Sequence, residues 1–303
     1  MRVRSADGLE LHAEVTGAAR GSSGTEAPVT VVLAHGWTLD SRCWEPVADS
    51  LVGAGLPVRV VRYDHRGHGR SDTADPSTLT IEQLADDLAA LIEQVAPDGP
   101  LVLGGHSMGG MTVMALAERH PELVAARLAG VALVATASGG LADATFGLRP
   151  AQLELFRRAE RRMYASRGWD TRRALSRHPW LLRPGMKWLL LGSDADARAV
   201  RLTTKVVAEC RPSTVSGFRP TLEAHERDAA LAAFAQVPVE IMVGSEDRLT
   251  PSSFSRRIRK ALPDASLTIF PEAGHMLPVE RVAGVSARLH VLARTAATRS
   301  SAA

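Results

Sequence analysis

Lysine is nearly missing from this chain. Of its 36 lysine and arginine residues, only Lys187, Lys205 and Lys260 are lysine. Set against 33 acidic residues they leave a formal charge of +3, so the high pI of about 9.2 follows from arginine use. No recognition motif accompanies the arginines, which argues against a nucleic-acid partner. Cysteine is also scarce. Cys43 and Cys210 are too few for a disulfide framework and read as free, packed thiols. No apolar run approaches the roughly 18 residues that a membrane span needs, and Met1 to Gly8 holds no apolar signal core. A soluble, cytoplasmic protein is the default expectation. His65 and His68 are spaced like ligands, but no Cys, Asp or Glu cluster completes a metal site. The stretch from Gly104 to Gly110 lacks both the Lys-Ser/Thr of a phosphate loop and a dinucleotide fingerprint. Neither a metal nor a nucleotide cofactor is expected.

What the chain does have is 303 residues, 45% of them hydrophobic, enough for a sizeable core. Its most informative segment is Gly105-His106-Ser107-Met108-Gly109. An apolar run, Leu101 to Leu103, leads in, and a helix-like run from Met111 to Ala117 follows. Gly-x-Ser-x-Gly between a buried strand and a helix is the signature of a nucleophile elbow. The turn is so tight that side chains at the flanking positions would clash, hence Gly105 and Gly109. It pushes the Ser107 hydroxyl out at a helix N-terminus, where free N–H groups favour a developing anion.

A serine hydroxyl is a weak nucleophile until a base takes its proton, and that base must itself be oriented. The chain should therefore carry an acid and then a histidine, each just after a later strand. Val239 to Val243 reads as a strand and is followed by Glu246-Asp247. Ser266 to Phe270 reads as another and is followed by His275. The preceding strand, Leu128 to Val134, runs into Ala135-Thr136-Ala137-Ser138 with no carboxylate, so that rival place for the acid is empty. Glu246 is the neighbouring rival and reads as solvated. Ser107, Asp247 and His275 are the candidate catalytic residues.

Elsewhere, Asp7-Gly8 marks a hairpin turn, and Val29 to Ala34 and Val58 to Tyr63 read as strands. Trp44 to Ala54 reads as a helix. Thr80 caps a helix with Ile81, Leu84, Leu88, Leu91, Ile92 and Val95 on one face, and Asp86, Asp87 and Glu93 off it. Strand and helix alternate, as in a parallel sheet covered on both faces. From about Ser138 to Arg227 the strand signal fades. Ala151 to Ala165, Asp170 to Arg177, Met186 to Leu191 and Asp194 to Val207 read as helices, punctuated by Pro150, Pro179, Pro184 and Pro212. Arg157, Arg158, Arg161, Arg162, Arg172 and Arg173 read as a solvated face rather than a site for an anionic partner. Trp169, Trp180 and Trp188 could line an acyl pocket or form a small core.

With these residues in view, the chain closely resembles the α/β-hydrolase superfamily, in particular its esterase and lipase branch with a Gly-His-Ser-Met-Gly-Gly elbow, which includes monoacylglycerol-lipase-like enzymes. Motifs agree in order: Ala34-His35-Gly36-Trp37, the run from Tyr63 to Ser71, the elbow, and the Asp247 and His275 loops. The resemblance implies an α/β-hydrolase fold: a mostly parallel eight-stranded sheet flanked by helices, with a core of residues 1–137 and 228–303 and a helical cap inserted at 138–227. It implies an oxyanion hole from the backbone N–H groups of Trp37 and Met108. His35, Gly36, Trp37 and His106 become candidates for contact with substrate, with His35 more a brace of that loop than a catalyst. The expected activity is serine-dependent cleavage of a small-molecule carboxylic ester through an acyl-enzyme. Thioesterase, perhydrolase and carbon–carbon bond hydrolase chemistry would use the same residues, and a non-catalytic ligand-binding protein is the remote alternative. Nothing in the pattern speaks to oligomeric state.

Overall fold

The computed structural model describes residues 1–18, 27–55, 57–143 and 183–300, with isolated positions between 149 and 180. One sheet holds eight strands: β1 (Arg2–Arg4), β2 (Glu10–Gly17), β3 (Thr30–Ala34), β4 (Arg59–Tyr63), β5 (Leu101–His106), β6 (Leu128–Val134), β7 (Val239–Gly244) and β8 (Ser266–Phe270). Their spatial order is β1-β2-β4-β3-β5-β6-β7-β8. The Asp7-Gly8 turn joins β1 and β2 as an antiparallel hairpin, and β2 is antiparallel to β4. Every other neighbouring pair is parallel. The carboxyl ends of β3 to β8 therefore share one edge, the edge at which open α/β sheets bind ligands.

Strands β3, β4, β5 and β7 are buried along their whole length. That is why β3 and β5 read as apolar runs instead of alternating, while β4 and β7 bury Arg59, Arg62 and Glu240 among their apolar residues. Helices α2 (Ile81–Val95) and α3 (Met108–Arg119) cover one face; α1 (Glu45–Gly53) and the C-terminal helix Val282–Ser300 cover the other. One core joins Leu84, Leu88 and Leu91 to Val113 and Met114, and the second joins Trp44, Val47 and Leu51 to Leu289 and Leu292. Met108 to Ala117 is buried on every side, as suits a helix apolar all round. Among the described residues no helix is long and apolar enough to cross a membrane. Cys43 and Cys210 are both buried and are not joined in a disulfide.

Between β6 and β7 the described residues form the helices Arg183–Leu190, Ala197–Glu209 and Pro212–Glu223, with no strand among them. The first two match the sequence reading to within a few residues. The third is unforeseen, because the sequence reading takes Pro212 as a break; Pro220 lies inside it. Pro212 in fact occupies the first helical turn, where its missing N–H costs nothing. The helices read over Ala151 to Ala165 and Asp170 to Arg177 lie outside the described residues, isolated positions apart. Among those positions, Arg158 pairs with Glu154 at 2.9 Å.

Helix α2 begins as its sequence indicates, with the Thr80 hydroxyl accepting from the Gln83 amide at 3.1 Å. Asp87, however, does not face solvent. It is fully buried and accepts from Arg66 Nε at 2.7 Å and Nη2 at 2.6 Å, while Arg66 also reaches Asp7 at 2.9 Å. The helical stripe alone cannot reveal this, because the partner that makes burial tolerable comes from the loop after β4. A second buried polar group lies at the strand ends. The rings of His35 and His65 are 4.4 Å apart and those of His35 and His68 are 5.1 Å apart. All three are buried, as is His106. Burial pushes His65, His68 and His106 well below the ordinary imidazole pKa and lowers His35 too.

Both groups bear on stability. Removing one member of a buried ion pair leaves the other uncompensated, so Asp87→Ala should cost about 3–5 kcal/mol in urea unfolding; a loss below about 1 kcal/mol would contradict the pairing. For the histidines, the unfolded chain takes up protons near pH 6.5, where the folded imidazoles resist them. Their contribution is present above about pH 6.5 and is lost as pH falls, at up to about 1.4 kcal/mol per pH unit for each imidazole involved. Thermal melts should show a Tm that drops steeply from about pH 6.5 to pH 5, whereas a flat profile would mean that these rings are solvated.

Candidate active site

Ser107 sits at the end of β5 with φ 54° and ψ −119°, a conformation that non-glycine residues rarely adopt and that costs about 1–3 kcal/mol. The surroundings hold it there. Its N–H donates to Val134 O at 2.9 Å, and its C=O accepts from Gly110 N at 2.9 Å and from the Thr136 hydroxyl at 2.7 Å. A Cβ on Gly105 would come within 2.5 Å of the Gly109 backbone, and one on Gly109 would overlap Ala34 O. Strand, turn and helix thus approach too closely for side chains at either position, as the Gly-x-Ser-x-Gly pattern indicates. Met108 opens α3, so its N–H has no intrahelical acceptor.

The loop after β3 meets the elbow from the side. A Cβ on Gly36 would lie 3.1 Å from Ser107 Cβ and 2.9 Å from His106 Nδ1. The His65 N–H donates to His35 Nε2 at 2.9 Å, so the proton of His35 is on Nδ1, from which it donates to Gly36 O at 2.8 Å. His65 Nε2 returns a bond to His35 O at 3.0 Å. This exchange fixes the direction of the Gly36–Trp37 peptide, because a trans peptide points its C=O and N–H opposite ways. His35 and His106 are fully buried; both ring nitrogens of His35 and Nε2 of His106 are hydrogen-bonded inside the protein. Trp37 is partly buried, and the guanidinium of Arg219, on the helix Pro212–Glu223, stands 6.0 Å from its ring centre. The same helix has the Thr214 hydroxyl on Gly67 O at 2.8 Å and Phe218 beside His68 at 5.4 Å. It therefore overlies the loops that follow β3 and β4.

Asp247 and His275, 28 positions apart, come together at the ends of β7 and β8: His275 Nδ1 donates to Asp247 Oδ2 at 2.9 Å. Both side chains are buried. Asp247 Oδ1 accepts from the N–H groups of Leu249 and Thr250, each at 2.9 Å, and Oδ2 also accepts from the Thr250 hydroxyl at 2.8 Å. With Nδ1 donating to the carboxylate, Nε2 of a neutral His275 is left as the acceptor. The neighbouring carboxylate, Glu246, turns the other way and accepts from the N–H and hydroxyl of Ser193 at 2.7 and 2.8 Å. His275 is in turn tied to the elbow: its C=O accepts from His106 Nε2 at 2.8 Å, and the two rings are 4.9 Å apart. His275 thus lies beside the residue that precedes Ser107.

Two residues that the sequence reading missed belong to this arrangement. Thr250 saturates the carboxylate of Asp247, and its position three residues on is that of a turn hydroxyl with no motif of its own. Glu280 accepts from Gly274 N at 3.0 Å and Met276 N at 2.9 Å, on either side of His275.

Residues 31–288 match the profile of the alpha/beta hydrolase family. Among curated proteins, the chain is 29% identical over 264 residues to RutD, a presumed carbamate hydrolase of Caulobacter sp. (strain K31), covering 81% of this chain and 83% of that protein. It is 28% identical over 266 residues to a monoacylglycerol lipase of Mycolicibacterium smegmatis, covering 83% of this chain and 82% of the lipase. Among solved structures, a thermophilic esterase from Thermogutta terrifontis superposes with a TM-score of 0.74 at 24% identity, covering 98% of both chains. By sequence profile and by sheet topology alike, this chain belongs to the alpha/beta hydrolase family.

Proposed function

We propose that this hydrolase cleaves small-molecule carboxylic esters through an acyl-enzyme on Ser107, with His275 as base and Asp247 as the orienting acid. The observation that carries the reading is the buried Asp247–His275 hydrogen bond at 2.9 Å, at the strand edge that also bears the strained Ser107. In the proposed cycle His275 Nε2 takes the hydroxyl proton as Ser107 Oγ bonds to the acyl carbon. The carbonyl oxygen gains the electron pair. The N–H groups of Trp37 and Met108 receive that oxyanion, and each such donor is worth about 2.7–4 kcal/mol in the transition state. As the carbonyl re-forms, the bond to the alkoxy oxygen breaks and His275 hands that oxygen its proton. Water, deprotonated by the same imidazole, then releases the acid and regenerates Ser107.

The helical segment between β6 and β7 acts in this reading as a cap that walls the substrate pocket and keeps water from the acyl group. Its helix Pro212–Glu223, with Arg219 over Trp37, is the support for that role.

The test is a chain-length series of chromogenic esters, with acyl thioesters alongside, on the wild type and on Ser107→Ala. Esters should be turned over by the wild type, and Ser107→Ala should lose about four or more orders of magnitude in kcat while melting at a similar temperature. Retention of a tenth or more of the activity would sink the assignment of the nucleophile. Turnover of thioesters alone would move the substrate class.

A further inference from the structure

We infer that Glu280 is a positioning residue for His275, and that it does so by joining the histidine loop to the segment Leu190–Asp194 that leads out of the helix Arg183–Leu190. The inference rests on the proposed role of His275. Glu280 closes the short helix Leu277–Glu280, directly after that loop. Its Oε2 accepts from Gly274 N at 3.0 Å and from Gly192 N at 2.7 Å, and its Oε1 accepts from Met276 N at 2.9 Å. One carboxylate therefore holds the amides on both sides of His275 and an amide from the other segment. Hydrogen bonds to an ionised acceptor are roughly twice as strong as neutral ones, so three on one carboxylate fix a loop more firmly than its own backbone would.

Other contacts between the two segments point the same way. The His275 N–H donates to Leu190 O at 2.8 Å. Gly192 and Gly274 face each other so closely that a Cβ on Gly274 would come within 2.5 Å of Gly192 N. The Ser193 bonds to Glu246 anchor the same segment to the residue before Asp247, and Arg248 Nη1 donates to Trp188 O at 2.7 Å. Both loops that carry the Asp247–His275 pair thus lean on residues 188–193, and Glu280 alone among these groups bonds both neighbours of His275. Within the proposed reaction, its loss lets the imidazole drift from the hydroxyl that it must deprotonate, and misplacement by about 1 Å can cost as much as 100-fold in rate. Binding of the ester, made elsewhere, is not the quantity affected.

The experiment compares wild type, Glu280→Gln and Glu280→Ala, each well below its melting temperature, in two assays: ester turnover resolved into kcat and KM, and the second-order rate of fluorophosphonate labelling of Ser107. Glu280→Ala should lower kcat and the labelling rate about 10- to 100-fold with KM within about twofold. Glu280→Gln, which keeps an acceptor oxygen, should fall between. If Glu280→Ala does not fold, Glu280→Gln decides alone: slowing by about threefold or more supports the inference, and a smaller change overturns it. Wild-type rates in the folded variants, or a loss confined to KM, would likewise overturn it. A wild type that is not labelled at Ser107 would instead overturn the nucleophile assignment on which the inference stands.

Discussion

The hydrogen bond from His275 Nδ1 to Asp247 Oδ2 is the constraint around which the other contacts are arranged. It joins two loops that share no local sequence, so it exists only if β7 and β8 lie side by side in register. They do, with Gly244 opposite Phe270, so both chains leave the sheet at the same height. The carboxylate is held in turn by two amides and a hydroxyl from Leu249 and Thr250, which leaves it little freedom to turn away. A rigid acid makes a rigid imidazole, and a rigid imidazole has one nitrogen committed and one available. The elbow approaches from β5, and His106 ties it back to the carbonyl of His275. Three strand ends are thus cross-linked above the sheet by side chains and backbone together.

The same edge carries an unusual share of buried polarity. His35, His65, His68, Arg66, Asp64 and Asp87 are all buried near the ends of β3 and β4 or on the helix that packs there. Each buried polar group must find a partner or destabilise the fold. Asp64 takes the amides of Ser41 at 2.7 Å and Arg70 at 2.8 Å, and His35 uses one ring nitrogen on Gly36 O, in the loop that turns toward Ser107, and the other on His65 N, in the loop after β4. The result is an oxyanion-hole candidate whose peptide direction is set by neutral imidazoles rather than by loop sequence. The strain at Ser107 has a similar logic: backbone bonds on both sides keep a disfavoured φ in place, and the glycines around it make the approach possible.

Much of this was legible in the sequence, for identifiable reasons. Parallel strands buried on both faces leave short, β-branched apolar runs such as Thr30 to Ala34. The elbow leaves glycines at fixed offsets because backbone atoms occupy the space that side chains would need. Asp247 and His275 stood out as candidates because each follows a strand, and Asp247 was preferred to Glu246 on the pattern of the family that the chain resembles. What escaped the reading depends on partners distant in sequence. Asp87 is off the apolar stripe of α2 yet buried, since Arg66 waits for it. Glu280 bonds backbone amides, and amides have no side-chain signature. The helix Pro212–Glu223 was hidden by Pro212, which its first turn accommodates. Local pattern reveals elements, whereas the groups that hold elements together are chosen by tertiary proximity.

In the proposed reaction Asp247 makes His275 a directed base for Ser107. Steady-state ester hydrolysis by Asp247→Asn isolates that role, because the substitution preserves shape but reverses the hydrogen-bonding sense toward Nδ1. The kcat should fall about 10⁴-fold with the fold intact by circular dichroism. A folded Asp247→Asn enzyme within about tenfold of the wild type would contradict the directed-base role.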